Sequence, residues 1–108
     1  MLSSEADLFR RLTQAVFRAH NAVLRLGDLL NEPFGQSSAR WRLMYLVDGG
    51  MGSVADIARE TGSSRQAVQR LADGLVADGL ATYRPHPTDG RGQVLSLTAP
   101  GADMFAAI

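Results

Sequence analysis

The sequence predicts a mainly α fold with a small β-hairpin wing, a winged helix-turn-helix carried behind a long N-terminal helix. Ser53 to Thr98 reads in order as short helix, tight turn, second helix, strand, Gly-rich hairpin and strand. The hydrophobic period switches from helical to alternating after Gly79, which marks the passage from helix to strand. Ahead of both, the first thirty or so residues hold a heptad seam, the mark of one extended amphipathic helix.

That helix is expected over roughly Glu5 to Leu30, with Ser3 or Ser4 as its cap. Phe9, Leu12, Val16, Ala19, Val23, Leu26 and Leu30 step by alternating three and four. Leu8, Ala15, Ala22 and Leu29 run alongside at seven-residue spacing and widen the stripe, while Arg11, Arg18 and Arg25 keep the opposite face wet. A helix packed only on its own domain is the plain reading. The stripe is wider than one short neighbour can cover, so a subunit interface is expected, with Leu12, Val16, Val23 and Leu26 in the contact. Asn31 to Ser38, holding Pro33 and Gly35, is the one clear linker. Trp41 and Tyr45 follow at i and i+4 and suit a core or interface better than a ligand cage. An effector pocket, if present, is expected in the crevice between their helix and the long one.

In the next helix Val54, Ile57 and Ala58 share a face, Ser53 is the natural N-cap, and Asp56 stands where a capping box wants an acid. Thr61-Gly62 breaks the pattern, and Ser63 or Ser64 caps a second helix that turns Val68, Leu71, Ala72, Leu75 and Val76 inward until Gly79 stops it. Two helices joined by a short turn containing Gly are what a DNA-reading helix-turn-helix needs, the second helix being the reader. Arg65, Gln66, Gln69 and Arg70 are four long hydrogen-bonding side chains at its start, suited to base edges in a major groove; a solvated helix face is the alternative. Gly74 inside this helix costs about 1 kcal/mol relative to Ala. Leu80 to Arg84 should pair with Gln93 to Leu97, Leu95 and Leu97 sharing a face. The connection from Pro85 to Gly92 has the prolines and glycines of an exposed tip and lifts Arg91 away from the core, where a guanidinium suits a narrow minor groove.

These stretches together resemble the MarR family of winged-helix transcription factors. The likeness begins at Ser37-Ser38-Ala39-Arg40-Trp41-Arg42-Leu43. It is strongest in Gly62-Ser63-Ser64-Arg65-Gln66-Ala67-Val68, Asp78-Gly79-Leu80, the wing Asp89-Gly90-Arg91, and Leu97-Thr98 followed by Gly101. The resemblance implies that Arg65, Gln66, Gln69 and Arg70 face the major groove and that Ser63 or Ser64 bonds phosphate. It also implies that Arg91 enters the minor groove with Asp89 steadying the wing. Relatives follow the wing with long C-terminal helices that help them dimerise, whereas Ala99 to Ile108 is what remains here, so the dimer contacts should fall mainly on the N-terminal helix.

At 108 residues the chain is one domain, small enough for a partner subunit to matter. Residues 1–30 are expected to dimerise, 37–98 to form the DNA-binding winged helix, and 99–108 to begin a C-terminal helix. No signal-peptide pattern and no run of 18 apolar residues is present, so a cytoplasmic, non-membrane protein is expected. Zero cysteines remove disulfides and thiol chemistry. The net charge is zero, leaving local charge to attract a polyanion: Arg65 and Arg70 without an acid between Ser63 and Ala72, and Arg84, set to meet phosphate, with His86 and Arg91 against Asp89. His20 and His86 are too few for a metal site. Ser3, Ser4, Ser37, Ser38, Ser53, Ser63 and Ser64 sit where helix caps belong, so no catalytic set, metal or cofactor is expected. The expected function is sequence-specific duplex DNA binding by a homodimeric transcriptional regulator, a repressor released by a small effector. A winged-helix protein-interaction module without DNA is the alternative.

Overall fold

The computed structural model describes residues 3–88 and 92–108. The first helix, α1 (Ser4–Asn31), has 28 residues and is capped by Ser3, whose side chain accepts from the Ala6 N–H at 3.0 Å. A 3₁₀ turn at Glu32–Phe34 leads to α2 (Ser38–Asp48), and then come α3 (Val54–Thr61), α4 (Arg65–Ala77), β1 (Ala81–Pro85), β2 (Gln93–Leu97) and α5 (Ala99–Ala107). Each of the last four helices is capped by a hydroxyl, from Ser37, Ser53, Ser64 and Thr98. Such caps satisfy backbone donors that the first turn of any helix leaves over.

Helical spacing on α2, α3 and α4 converges on one core. Leu43, Met44 and Val47 of α2 meet Ile57 and Ala58 of α3, Val68, Ala72 and Leu75 of α4, and Leu80, Ala81 and Leu95 from the hairpin, all buried. β1 and β2 are antiparallel with Ala81 opposite Leu97 and Arg84 opposite Val94. The first strand runs one residue later than expected. Leu80 still takes part, because its carbonyl accepts from the Thr98 N–H at 3.0 Å while its side chain enters the core. The outer edge of β2 is met by the loop before α3, where the Leu95 N–H donates to the Gly52 carbonyl at 2.9 Å. Alternation along a strand could not foretell that contact, since it is made by a residue outside any strand.

α1 joins this body by its C-terminal end. The Ser38 hydroxyl donates to the Leu24 carbonyl and the Ser38 N–H to the Asp28 carboxylate, both at 2.8 Å. Among the described residues the apolar stripe is left more than half exposed: Leu12 is 59% exposed, Val16 56%, Val23 67% and Leu26 58%. The plain reading of a helix packed along its own domain therefore holds only for the last two turns. The radius of gyration, 17.2 Å, exceeds the roughly 13 Å of a compact chain of this length because α1 projects. No helix among the described residues is long and apolar enough to cross a membrane.

Trp41 and Tyr45 stack on one another at 5.4 Å between ring centroids, and Phe105 of α5 lies 6.0 Å from Trp41 and 6.5 Å from Tyr45. They tie α2 to α5.

Candidate nucleic-acid interface

α3 and α4 are joined at Gly62, whose φ of 70° lies in the left-handed region, where a side chain is strained and glycine is not. The Thr61 hydroxyl donates back to the Ile57 carbonyl at 2.9 Å and accepts from the Ser63 N–H at 3.4 Å. Ser64 is the cap: its hydroxyl accepts from the Ala67 N–H at 3.1 Å. The choice between two adjacent serines is thus settled, and the Ser63 hydroxyl stays on the exposed turn. With Ala67 bonded to the cap side chain and the Val68 N–H to the Ser64 carbonyl, the N–H groups of Arg65 and Gln66 have no intrahelical acceptor.

The burial pattern fixes which way α4 faces. Val68, Ala72 and Leu75 are buried, and Arg65, Gln66, Gln69 and Arg70 are exposed on the other side. Ser63, Ser64 and Arg84 are exposed as well, Arg84 on the strand face opposite Ala81 and Tyr83. The helix-turn-helix residues are exposed together on the turn and the first two turns of α4. Asp89 and Arg91, expected to work in the wing, lie outside the described residues. The hairpin leading to them is paired as far as the His86 N–H, which donates to the Gly92 carbonyl at 3.0 Å.

One group of this face escaped the reading of the sequence. The Gln69 amide nitrogen donates to the Asp73 carboxylate at 2.9 Å and to the Tyr83 hydroxyl at 2.7 Å, and that hydroxyl donates to the same carboxylate oxygen at 2.6 Å. The reader helix is thereby pinned to β1. The four-residue spacing of Gln69 and Asp73 is a helical neighbour signal, but Tyr83 arrives from the hairpin and no local pattern announces it. The Tyr83 hydroxyl and the Gln69 amide hold the Asp73 carboxyl below its usual range. Partial burial, then the hydrogen bond and charge of Asp73, push the Tyr83 phenol up to about 12.

Because the folded phenol holds its proton more tightly than the unfolded one, its contribution to stability is complete below about pH 10 and is lost as pH rises towards 12. The chain has two tyrosines. In a Tyr45→Phe background, the phenolate absorbance should therefore appear with a midpoint near 12. A midpoint at the ordinary tyrosine value, about 10, would show that the Asp73 contact is absent in solution.

Gly74 also finds its reason here. A Cβ at this position would stand 2.6 Å from a guanidinium nitrogen of Arg40, and that guanidinium reaches Asp78 at 2.6 Å and Gln36 at 3.3 Å. The glycine lets the α2 arginine lie across the back of α4. A half-exposed pair of this kind contributes at most about 1 kcal/mol, comparable with what glycine costs in the helix.

A cavity of about 160 Å³ lies between α1 and the reading head, lined by Leu24, Ser38, Arg42, Ile57, Ser63 and Leu71 among others. It lies on the expected α1–α2 side, and neither Trp41 nor Tyr45 lines it.

A reader helix with an exposed polar start, a glycine turn and a hairpin wing define a winged helix-turn-helix protein. The sequence model of the MarR family matches residues 38–92, and the chain belongs to the MarR family of transcriptional regulators. Uncharacterised proteins of Mycobacterium tuberculosis and Mycobacterium bovis are 35% identical over 103 residues, 95% of this chain and 72% of theirs. A cysteine-to-serine mutant of MarR from Escherichia coli, solved with operator DNA, is similar with a TM-score of 0.80 at 20% identity, over 97% of this chain and 76% of that one. The transcriptional repressor CouR on a 23-mer DNA duplex is similar with a TM-score of 0.78 at 25% identity, over 99% and 76%. CouR from Rhodococcus jostii RHA1 has also been solved with p-coumaroyl-CoA.

Proposed function

We propose that this chain regulates transcription by binding a pseudo-palindromic operator as a homodimer, each α4 entering a major groove and the half-sites lying about one helical turn apart. The exposed, acid-free first turn of α4 carries this reading. There Arg65 and Gln66 project at base-edge reach, their own N–H groups and the Ser63 hydroxyl being placed for a phosphate at a helix N-terminus. Gln69 and Arg70 extend the reading face by one turn, Ser64 shapes its start, and Arg84 adds a phosphate contact from β1. Arg91 takes the neighbouring minor groove and Asp89 steadies the hairpin. Likeness to MarR on operator DNA and CouR on a DNA duplex supports the mode of binding.

Repression is the favoured sign, in keeping with CouR, and the cavity against Leu24 and Ser63 is the place for a small effector to act. Its 160 Å³ compares with an apolar cavity of about 150 Å³ that holds one benzene. A ligand there would press on the turn and on α1 together, and so change the angle between reading head and partner. The protein works in the cytoplasm, beside its operator.

Replacing Arg65 or Gln66 by Ala should weaken specific binding by about 1–3 kcal/mol and spare most binding to random duplex, because base contacts specify while phosphate contacts position. Titrations against a selected operator and a scrambled one, across a salt series, check this. Equal losses on both duplexes would remove these side chains from base reading. Absence of a steep salt slope would indicate a protein-interaction module, which releases no counterions from DNA.

A further inference from the structure

Gln69 is the one reader residue whose side chain is already engaged. Its amide nitrogen faces Asp73 at 2.9 Å and the Tyr83 hydroxyl at 2.7 Å, with Asp73 and Tyr83 bonded to each other at 2.6 Å. An ionised carboxylate has no hydrogen to give. Turning the carboxamide over would set its carbonyl oxygen against that carboxylate, so the nitrogen must face Asp73 and the carbonyl oxygen is the group left for another partner. A free glutamine reads adenine through both ends of its amide, accepting from N6 and donating to N7. Here the donating end is committed elsewhere.

We propose that the Asp73 carboxylate fixes Gln69 as an acceptor, so that it selects an amino base, adenine or cytosine, over a keto base, guanine or thymine, at one strand position in each half-site. In the major groove adenine N6 and cytosine N4 are donors, whereas guanine O6 and N7 and thymine O4 only accept. A carbonyl oxygen thus meets a partner in the first pair and a repelling acceptor in the second. Asp73 is a positioning residue that acts through the orientation of Gln69, and the Tyr83 hydroxyl donates to the same carboxylate. The inference rests on the operator reading above and adds to it the chemical class of base that this position takes.

Selection of bound sequences from a random duplex pool at one fixed salt concentration tests it, using the unmodified chain, Gln69→Ala, Asp73→Asn and Tyr83→Phe. The unmodified chain should favour adenine or cytosine roughly five- to tenfold at one position, the worth of about one hydrogen bond. Gln69→Ala should flatten that position and leave the rest of the motif. Asp73→Asn puts an amide beside Gln69 that serves either orientation, so guanine and thymine should be admitted there. Tyr83→Phe keeps the carboxylate and should keep the amino preference. Thermal melting of each variant, compared with the unmodified chain, separates orientation from folding. A motif that Asp73→Asn leaves unchanged, or weakens evenly at every position together with a lower melting temperature, would mean that the three residues only fasten α4 to β1 and would overturn the inference. A motif with no position responsive to Gln69→Ala overturns it too, with the operator reading intact. An unmodified chain that enriches no sequence overturns both.

Discussion

Gly101→Ala is expected to destabilise the fold by about 3 kcal/mol, the upper end of the penalty for forcing an extra group into a packed site. Gly101 sits in the first turn of α5 and is buried. A Cβ on it would stand 1.8 Å from the Leu80 carbonyl oxygen and 2.8 Å from the carbonyl carbon. The obstacle is backbone, so no rotamer change relieves it. That carbonyl already accepts from the Thr98 N–H at 3.0 Å, and the Thr98 hydroxyl both donates to the Gly79 carbonyl at 2.7 Å and accepts from the Gly101 N–H at 3.2 Å. To make room, α5 must lift from the start of β1, which breaks this knot and draws Phe105 off Trp41 and Tyr45. Melting followed by circular dichroism at one fixed protein concentration should show a drop of roughly 10–20 °C. An unchanged melting temperature would mean that α5 is not docked on Leu80 in solution.

Gly101 also shows where the sequence is legible and where it is not. As a glycine after Leu97-Thr98 it can be noticed, but its purpose depends on Leu80, 21 positions earlier and brought close only by the hairpin. What is decided within a few residues reads well. Ser53 before a helical apolar pattern, the break at Gly62 and the change of period after Gly79 are each local, and the helices and strands stand within a residue or two of their expected ends. Contacts between elements do not read so. Ser63 and Ser64 are equivalent as caps until the turn geometry gives the role to Ser64. Gly74 looks like a flaw until the Arg40 guanidinium is seen lying over it. The reading face looked free of acids because Asp73 falls just beyond its four residues in the chain, yet it folds back against Gln69 within one turn. Trp41 and Tyr45 could be seen to share a face, but not that Phe105 would claim it.

The long N-terminal helix carries the remaining prediction. α1 presents Leu8, Phe9, Leu12, Val16, Phe17, Val23, Leu26, Leu29 and Leu30 to solvent, each more than half exposed. A contiguous apolar surface of this kind marks an interface in a soluble protein, and a second copy of the same stripe is the partner whose pattern matches it under two-fold symmetry. Each valine covered there contributes about 1.5–3 kcal/mol relative to exposure, and a glutamate in its place would in addition have to leave water without a counter-charge. Val16→Glu with Val23→Glu should therefore give monomers at tens of micromolar, where the unmodified chain should sediment as a dimer. The helices should persist, since neither valine touches the core formed by α2, α3 and α4, so the circular dichroism spectrum should change little. Operator binding should fall far more than any single base-contact substitution makes it fall. A dimer places its second reading head beside the second half-site, and losing that effective concentration removes roughly a hundred- to ten-thousand-fold in affinity without altering one contact to DNA. Binding to an isolated half-site is the control and should be the same for both proteins. An unmodified chain that sediments as a monomer at those concentrations, or a double variant that keeps full operator affinity, would show that α1 does not join the two reading heads.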